Sequence, residues 1–150
     1  MQLSIVFFTL MAPLLSATLV PMPREIDLGE GKLVVDVQTA VIAPDYLAPQ
    51  AEVLTAALQK TTGYVHRFRT IKQAARIRYK RAIKLSLSKF GKPEFYRIEI
   101  TPEGATIQGS DIPGLMHGIQ TMAQLLPLPK SPYRERLSQP KLLKTCLLYT

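Results

Sequence analysis

The chain has one cysteine, Cys146, in 150 residues, which excludes an intramolecular disulfide and any metal centre built on cysteine pairs. Its stability must come from a packed core. Histidine is nearly as scarce: His66 and His117 are far apart and lack the HExxH spacing that sets two ligands on one helical face. Neither a metal site nor a cofactor is therefore expected. The longest apolar run, Leu3 to Ala17, carries no charge but is shorter than the roughly 20 residues that cross a bilayer, so no stable membrane span is expected either. No internal repeat is present.

That same run has the length of a signal-peptide core and ends on the small residues Ser16 and Ala17. It predicts a signal peptide over residues 1–17 and a secreted or periplasmic protein; the alternative is a buried N-terminal strand or helix. The remainder has the size of one domain, and a composition of 47% hydrophobic and 20% charged residues is ordinary for a globular chain.

A net charge of +8 raises the question of an anionic partner. Much of it lies in the segment 66–84, "HRFRTIKQAARIRYKRAIK", where Arg67, Arg69, Lys72, Arg76, Arg78, Lys80, Arg81 and Lys84 occur without one acid. The interleaved Phe68, Ile71, Ile77 and Tyr79 match no RNP, zinc-finger or basic-zipper spacing. A charge run of this kind is ordinarily a solvated face or loop, so no nucleic-acid partner is expected.

Hydrophobic periodicity orders the rest. Lys32 to Val37 and Ala40 to Ile42 read as short β runs, with Gly29 and Gly31 as a turn before the first. Leu47, Ala51, Leu54 and Leu58 form one helical stripe that starts near Pro49 and stops at Gly63. A short strand is expected near Tyr64 to Phe68. "AIKLSLS" alternates Ile83, Leu85 and Leu87 with polar residues, which puts one face on a core and one on water. "EFYRIEI", the turn Thr101 to Gly104 and "ATIQG" read as a hairpin. Ile112, Leu115, Met116, Ile119, Met122, Ala123 and Leu126 then follow helical spacing, with Ser110 or Asp111 as N-cap. Gly114 and Gly118 share a flank suited to close backbone approach, and His117 falls on the polar side near Gln120, Thr121 and Gln124. An exposed or interface role suits His117 better than catalysis. The pattern predicts an α+β fold, a mostly antiparallel β-sheet with two main helices packed on one face.

Three stretches, "PMPREIDLGEGKLVV", "AIKLSLS" and "PEFYRIEITPEGATIQGSDIPGLMHGIQTMAQLLP", resemble the non-catalytic N-terminal domain of family 20 glycoside hydrolases, the β-N-acetylhexosaminidases. The matching positions are Tyr96 and Arg97 on a strand, Pro102 and Gly104 in its turn, and Gly114, Leu115, Gly118, Gln120, Thr121, Gln124 and Leu125 on the helix. The resemblance covers residues 20–128. It implies a domain packed beside a (β/α)8 barrel that removes terminal N-acetyl-hexosamine residues from glycans or chitin oligomers. In that barrel a glutamate protonates the leaving oxygen, while an aspartate orients the substrate's own acetamido group as nucleophile, a substrate-assisted exception to the two-carboxylate scheme.

A barrel needs about 250 residues, and no Asp-Glu dipeptide occurs in this chain. The implied partners are the missing barrel and, through it, the glycan. No catalytic, cofactor-binding or metal-binding residue is expected here, and the 150 residues alone should be inactive. Asp27, Glu30, Asp36, Glu99 and Glu103 read as ordinary turn and strand-face acids. Two alternatives are a stand-alone module for carbohydrate or an anionic polymer, and the matching domain of another glycosidase such as an α-glucuronidase. Residues 129–150 begin as a proline-rich linker and close on "CLLYT", which one frame of a common sequencing adapter also encodes (TGT CTC TTA TAC ACA). A truncated frame with an artefactual tail is expected there, against a natural strand or helix start.

Overall fold

The computed structural model describes Leu19 and residues 23–77, 79–126 and 141–149; the leader expected over residues 1–17 and the linker expected after 128 lie outside these up to residue 140. Seven strands form one sheet: β1 (Glu25–Val35), β2 (Ala40–Ala43), β3 (Phe68–Thr70), β4 (Ala82–Leu87), β5 (Tyr96–Thr101), β6 (Gly104–Gly109) and β7 (Lys141–Tyr149), in the spatial order β1-β7-β5-β6-β4-β2-β3. Helix α1 (Ala48–Thr62) follows β2 after a single 3₁₀ turn, α2 (Ile71–Ala74) follows β3, and α3 (Ile112–Leu125) follows β6.

The expectation of a mostly antiparallel α+β sheet is overturned. In the five-stranded body β5-β6-β4-β2-β3, the pairings β6–β4, β4–β2 and β2–β3 are parallel and only β5–β6 is antiparallel. The class is α/β, with a mostly parallel mixed five-stranded body to whose β5 edge β7 and then β1 add by antiparallel pairing. Strand β2, helix α1 and strand β3 form a crossover unit, the connection that adjacent parallel strands require. β4 then lies on the other side of β2, and the β5–β6 hairpin delivers β6 parallel to β4. The misleading signal was alternation: Ile83 and Leu85 are buried while Lys84 is exposed. That pattern reports one uncovered face, and an uncovered face says nothing about which way the neighbouring strand runs.

Local rules explain the element ends. Gly63 takes φ 79°, and its N–H donates to the Gln59 carbonyl to close α1, a left-handed cap that glycine adopts without a Cβ penalty. Strand β1 is longer than expected, since Gly29 and Gly31 sit at a register shift between Leu28 and Lys32 rather than ending the strand. One core holds the layers together. It runs from Leu33 and Val35 through Leu47 of the 3₁₀ turn, Leu54 and Leu58 of α1 and Ile98, Ile100 and Ile107 of the hairpin to Leu115, Ile119 and Met122 of α3.

Candidate functional site

The junction of α3 with β5 is held by a set of polar contacts. Asp111 is the N-cap of α3: one carboxylate oxygen accepts from Gly114 N–H at 2.8 Å, and the other accepts from Glu94 N–H at 3.0 Å. These two hydrogen bonds hold the Asp111 carboxyl below the usual carboxylate range, Gly114 contributing most. Glu94 has φ 66°, a left-handed conformation that costs a non-glycine residue roughly 1 kcal/mol or more, so Asp111 pins a strained turn. Ser110 N–H donates to the Phe95 carbonyl at 2.8 Å, and a Cβ on Gly114 would lie 2.3 Å from that same oxygen. The glycine flank expected to permit close approach does so, with Gly118 against Ile107 and Tyr96.

His117 stands at the rim of this junction, 38% exposed, with Nε2 3.8 Å from a Glu94 carboxylate oxygen that is itself open to solvent. Thr121, expected beside it on the polar side, is instead fully buried, and its hydroxyl pairs with the Tyr96 hydroxyl at 2.8 Å. The helix is rotated toward its glycine flank, which leaves Ile112 exposed at 38%. Tyr96 and Thr121, both within the recognised motif, therefore form a buried hydroxyl pair joining strand to helix. Their spacing carried no periodic signal that could have revealed it.

His66 is buried and bridges two elements: Nδ1 lies 3.1 Å from the Thr39 carbonyl and Nε2 2.9 Å from Thr62 Oγ1. A carbonyl only accepts, so Nδ1 carries a proton toward Thr39, while the single Thr62 hydroxyl proton lies between Nε2 and the Leu58 carbonyl at 2.7 Å. The same turn presents Asp36, which makes a 2.7 Å ion pair with Arg81, 45 residues away. Asp36 is thus more than a turn acid, since it neutralises one cation of the basic segment.

Burial lowers the His66 pKa from its ordinary 6.5, against smaller opposing effects of the Thr39 carbonyl and Asp36. Between that depressed value and 6.5 the unfolded chain binds a proton that the folded chain refuses. Stability should fall as pH drops through this window and level off below it. Denaturant titrations at stepped pH check this, and His66→Gln should flatten the slope there.

The outer face of the sheet carries a shallow depression of about 280 Å³ lined by Tyr79, Lys84, Glu99, Thr101, Glu103 and Thr106. Register places Lys84, Thr106 and Glu99 side by side across β4, β6 and β5. The structure thus brings Glu99 and Glu103 together, but both are exposed, unlike the water-excluding pocket that tunes a general acid. Asp27 is an exposed residue of β1, and the Glu30 side chain lies outside the described residues. Among the described residues no group of three or more His, Cys, Asp or Glu could hold a metal ion, and no helix is long and apolar enough to cross a membrane. In the basic segment Arg67, Lys72, Arg76, Lys80 and Lys84 are exposed.

Residues 16–135 match the family described as glycosyl hydrolase family 20, domain 2. Among solved structures, the chain is similar to the family 20 β-N-acetylhexosaminidase of Streptomyces coelicolor A3(2), with a TM-score of 0.67 and 24% identity over 87% of this chain and 26% of that one. It is also similar to the Streptomyces plicatus N-acetyl-β-hexosaminidase in complex with Thio-NAglucal (TM-score 0.64, 26% identity, 86% of this chain and 25% of that one). A third is the family 20 exo-β-N-acetylglucosaminidase of Vibrio harveyi in complex with N-acetylglucosamine (0.65, 18% identity, 86% and 18%). The chain thus spans about a quarter or less of the length of these structures. No curated protein sequence matches it.

Proposed function

Because the chain belongs to the glycosyl hydrolase family 20, domain 2 family, we propose that it is the non-catalytic flank of a β-N-acetylhexosaminidase, supporting a (β/α)8 barrel that removes terminal N-acetyl-hexosamine from glycans or chitin oligomers. The observation that carries this reading is the family match over most of an open-sheet domain, set against solved hexosaminidases more than three times its length. The chemistry belongs to the barrel: a glutamate as general acid, and an aspartate that orients the substrate's acetamido group for attack on the anomeric carbon. The 150 residues have no Asp-Glu pair, and the acids at the depression on the sheet are solvated. Tyr46, Val53 and Ile112 leave large apolar surfaces in water on the helical layer, which contact with a barrel would cover. The apolar run Leu3 to Ala17 supports export of the enzyme.

Purified chain should release no nitrophenol from p-nitrophenyl N-acetyl-β-glucosaminide above the blank. Joined to a family 20 barrel, it should raise the barrel's Tm and leave the catalytic residues to the barrel. Turnover by the 150 residues alone, or a barrel indifferent to the domain, would overturn the reading.

A further inference from the structure

The charge of this protein is polarised to a degree that its fold does not require. Between Glu52 and Glu94 the chain has eleven Lys and Arg and no Asp or Glu, so all eleven of its acids lie elsewhere. The structure gathers part of this segment at one end of the sheet, on edge strand β3 and the α2 turn. There Arg67, Lys72 and Arg76 are exposed, as is Lys80 just before β4, and among the described residues none of them forms an ion pair with a carboxylate. Among the described residues, the one ion pair in this segment is Arg81 with Asp36. The display is ordered rather than a loose coil. Thr70 and Gln73 form a reciprocal capping box that fixes the α2 turn.

Two aliphatic side chains stand in water among these cations, Ile71 at 57% and Ile77 at 50% exposure. Neither joins the core. Exposed aliphatics gain nothing from a phosphate backbone or a polysaccharide, and a single-stranded nucleic acid needs free aromatic faces for stacking. Phe68 is not free, because it packs against the core, and Tyr79 is half-buried beside Glu99 and Glu103 at the depression on the sheet. Cations interleaved with aliphatics are instead what an anionic bilayer surface rewards, the charges meeting headgroups and the aliphatics entering the acyl boundary.

We propose that the β3 edge with α2 docks this protein on anionic phospholipid membranes, independently of whether a hexosaminidase barrel adjoins it. Each Lys or Arg close to such a surface adds attraction that salt screens. The full chain should co-sediment with phosphatidylcholine vesicles containing phosphatidylglycerol roughly tenfold more strongly than with phosphatidylcholine alone, and added salt should erase the difference. The double variant Lys72→Glu/Arg76→Glu should lose about tenfold in anionic-vesicle binding, and Ile71→Ser/Ile77→Ser should lose several-fold. Each variant is read against the native chain, since all share the apolar run Leu3 to Ala17. Circular dichroism and Tm confirm that each is folded, which exposed positions should allow. Three results would overturn the assignment: equal binding to neutral and anionic vesicles, anionic binding unmoved by the charge reversals, or duplex DNA held as tightly as vesicles with no effect of the serine pair.

Discussion

Tyr96→Ala is expected to lower the unfolding free energy by about 3–5 kcal/mol, the cost of truncating a buried aromatic ring. Among the described residues Tyr96 is the largest of the fully buried side chains, at 1% exposure, and it sits where β5 meets the Gly118 flank of α3. Two losses combine. The ring leaves a cavity between strand and helix, and Thr121 loses the partner of its buried hydroxyl, an orphan that costs about 1–3 kcal/mol. The midpoint of thermal unfolding should fall by roughly 6–20 °C for a chain of this size. Tyr96→Phe separates the contributions, because it keeps the ring and removes only the hydroxyl. A destabilisation near 1–3 kcal/mol is expected for it, largely relieved when Thr121→Val removes the other partner. If Tyr96→Phe proved as harmful as Tyr96→Ala, the ring's packing would not be the main contribution.

Gly114→Ala is the second large effect, and its sign is informative. In an exposed helix the substitution would stabilise by about 1 kcal/mol, since alanine forms helix more readily than glycine. Here the new methyl would stand 2.3 Å from the Phe95 carbonyl oxygen and 2.9 Å from the Glu94 carbonyl carbon. Both are backbone atoms and cannot swing aside. The helix must lift, which pulls Asp111 away from the Glu94 amide and releases the strained turn that it pins. A net loss of about 2 kcal/mol or more is expected, within the range for overpacked sites. Gln120→Ala, at an exposed position of the same helix, supplies the control and should be neutral or slightly stabilising. Denaturant unfolding of the two variants beside the native chain decides the matter; a stabilised Gly114→Ala would show that the contact has slack.

Much of the architecture was legible from periodicity because burial leaves a residue-by-residue imprint. Leu47, Ala51, Leu54 and Leu58 follow helical spacing and are all fully buried, and Ile83 and Leu85 alternate with polar neighbours as a half-covered strand must. Gly63 and Asp111 mark helix ends through backbone conformation and capping, both local properties. The family was legible for a related reason: its motif records where glycine, tyrosine and threonine are needed at one helix–strand junction. Strand direction was not legible. Alternation in β4 is the same whether its neighbour runs parallel or antiparallel, and the choice depends on crossovers through α1 and α2 that bring β2, β3 and β4 together.

By itself, then, the sequence determined the two main helices, the β5–β6 hairpin, the family and the segregation of charge, all of which depend on residues close together in the chain, but not α2 or β7. The tertiary structure alone decided the parallel sheet, the burial of Thr121 against Tyr96, the seating of His66 between Thr39 and Thr62, and the pairing of Asp36 with Arg81. Each of these joins residues separated by many positions. Such partners are chosen by how layers pack around a common core, and no local periodicity encodes that choice.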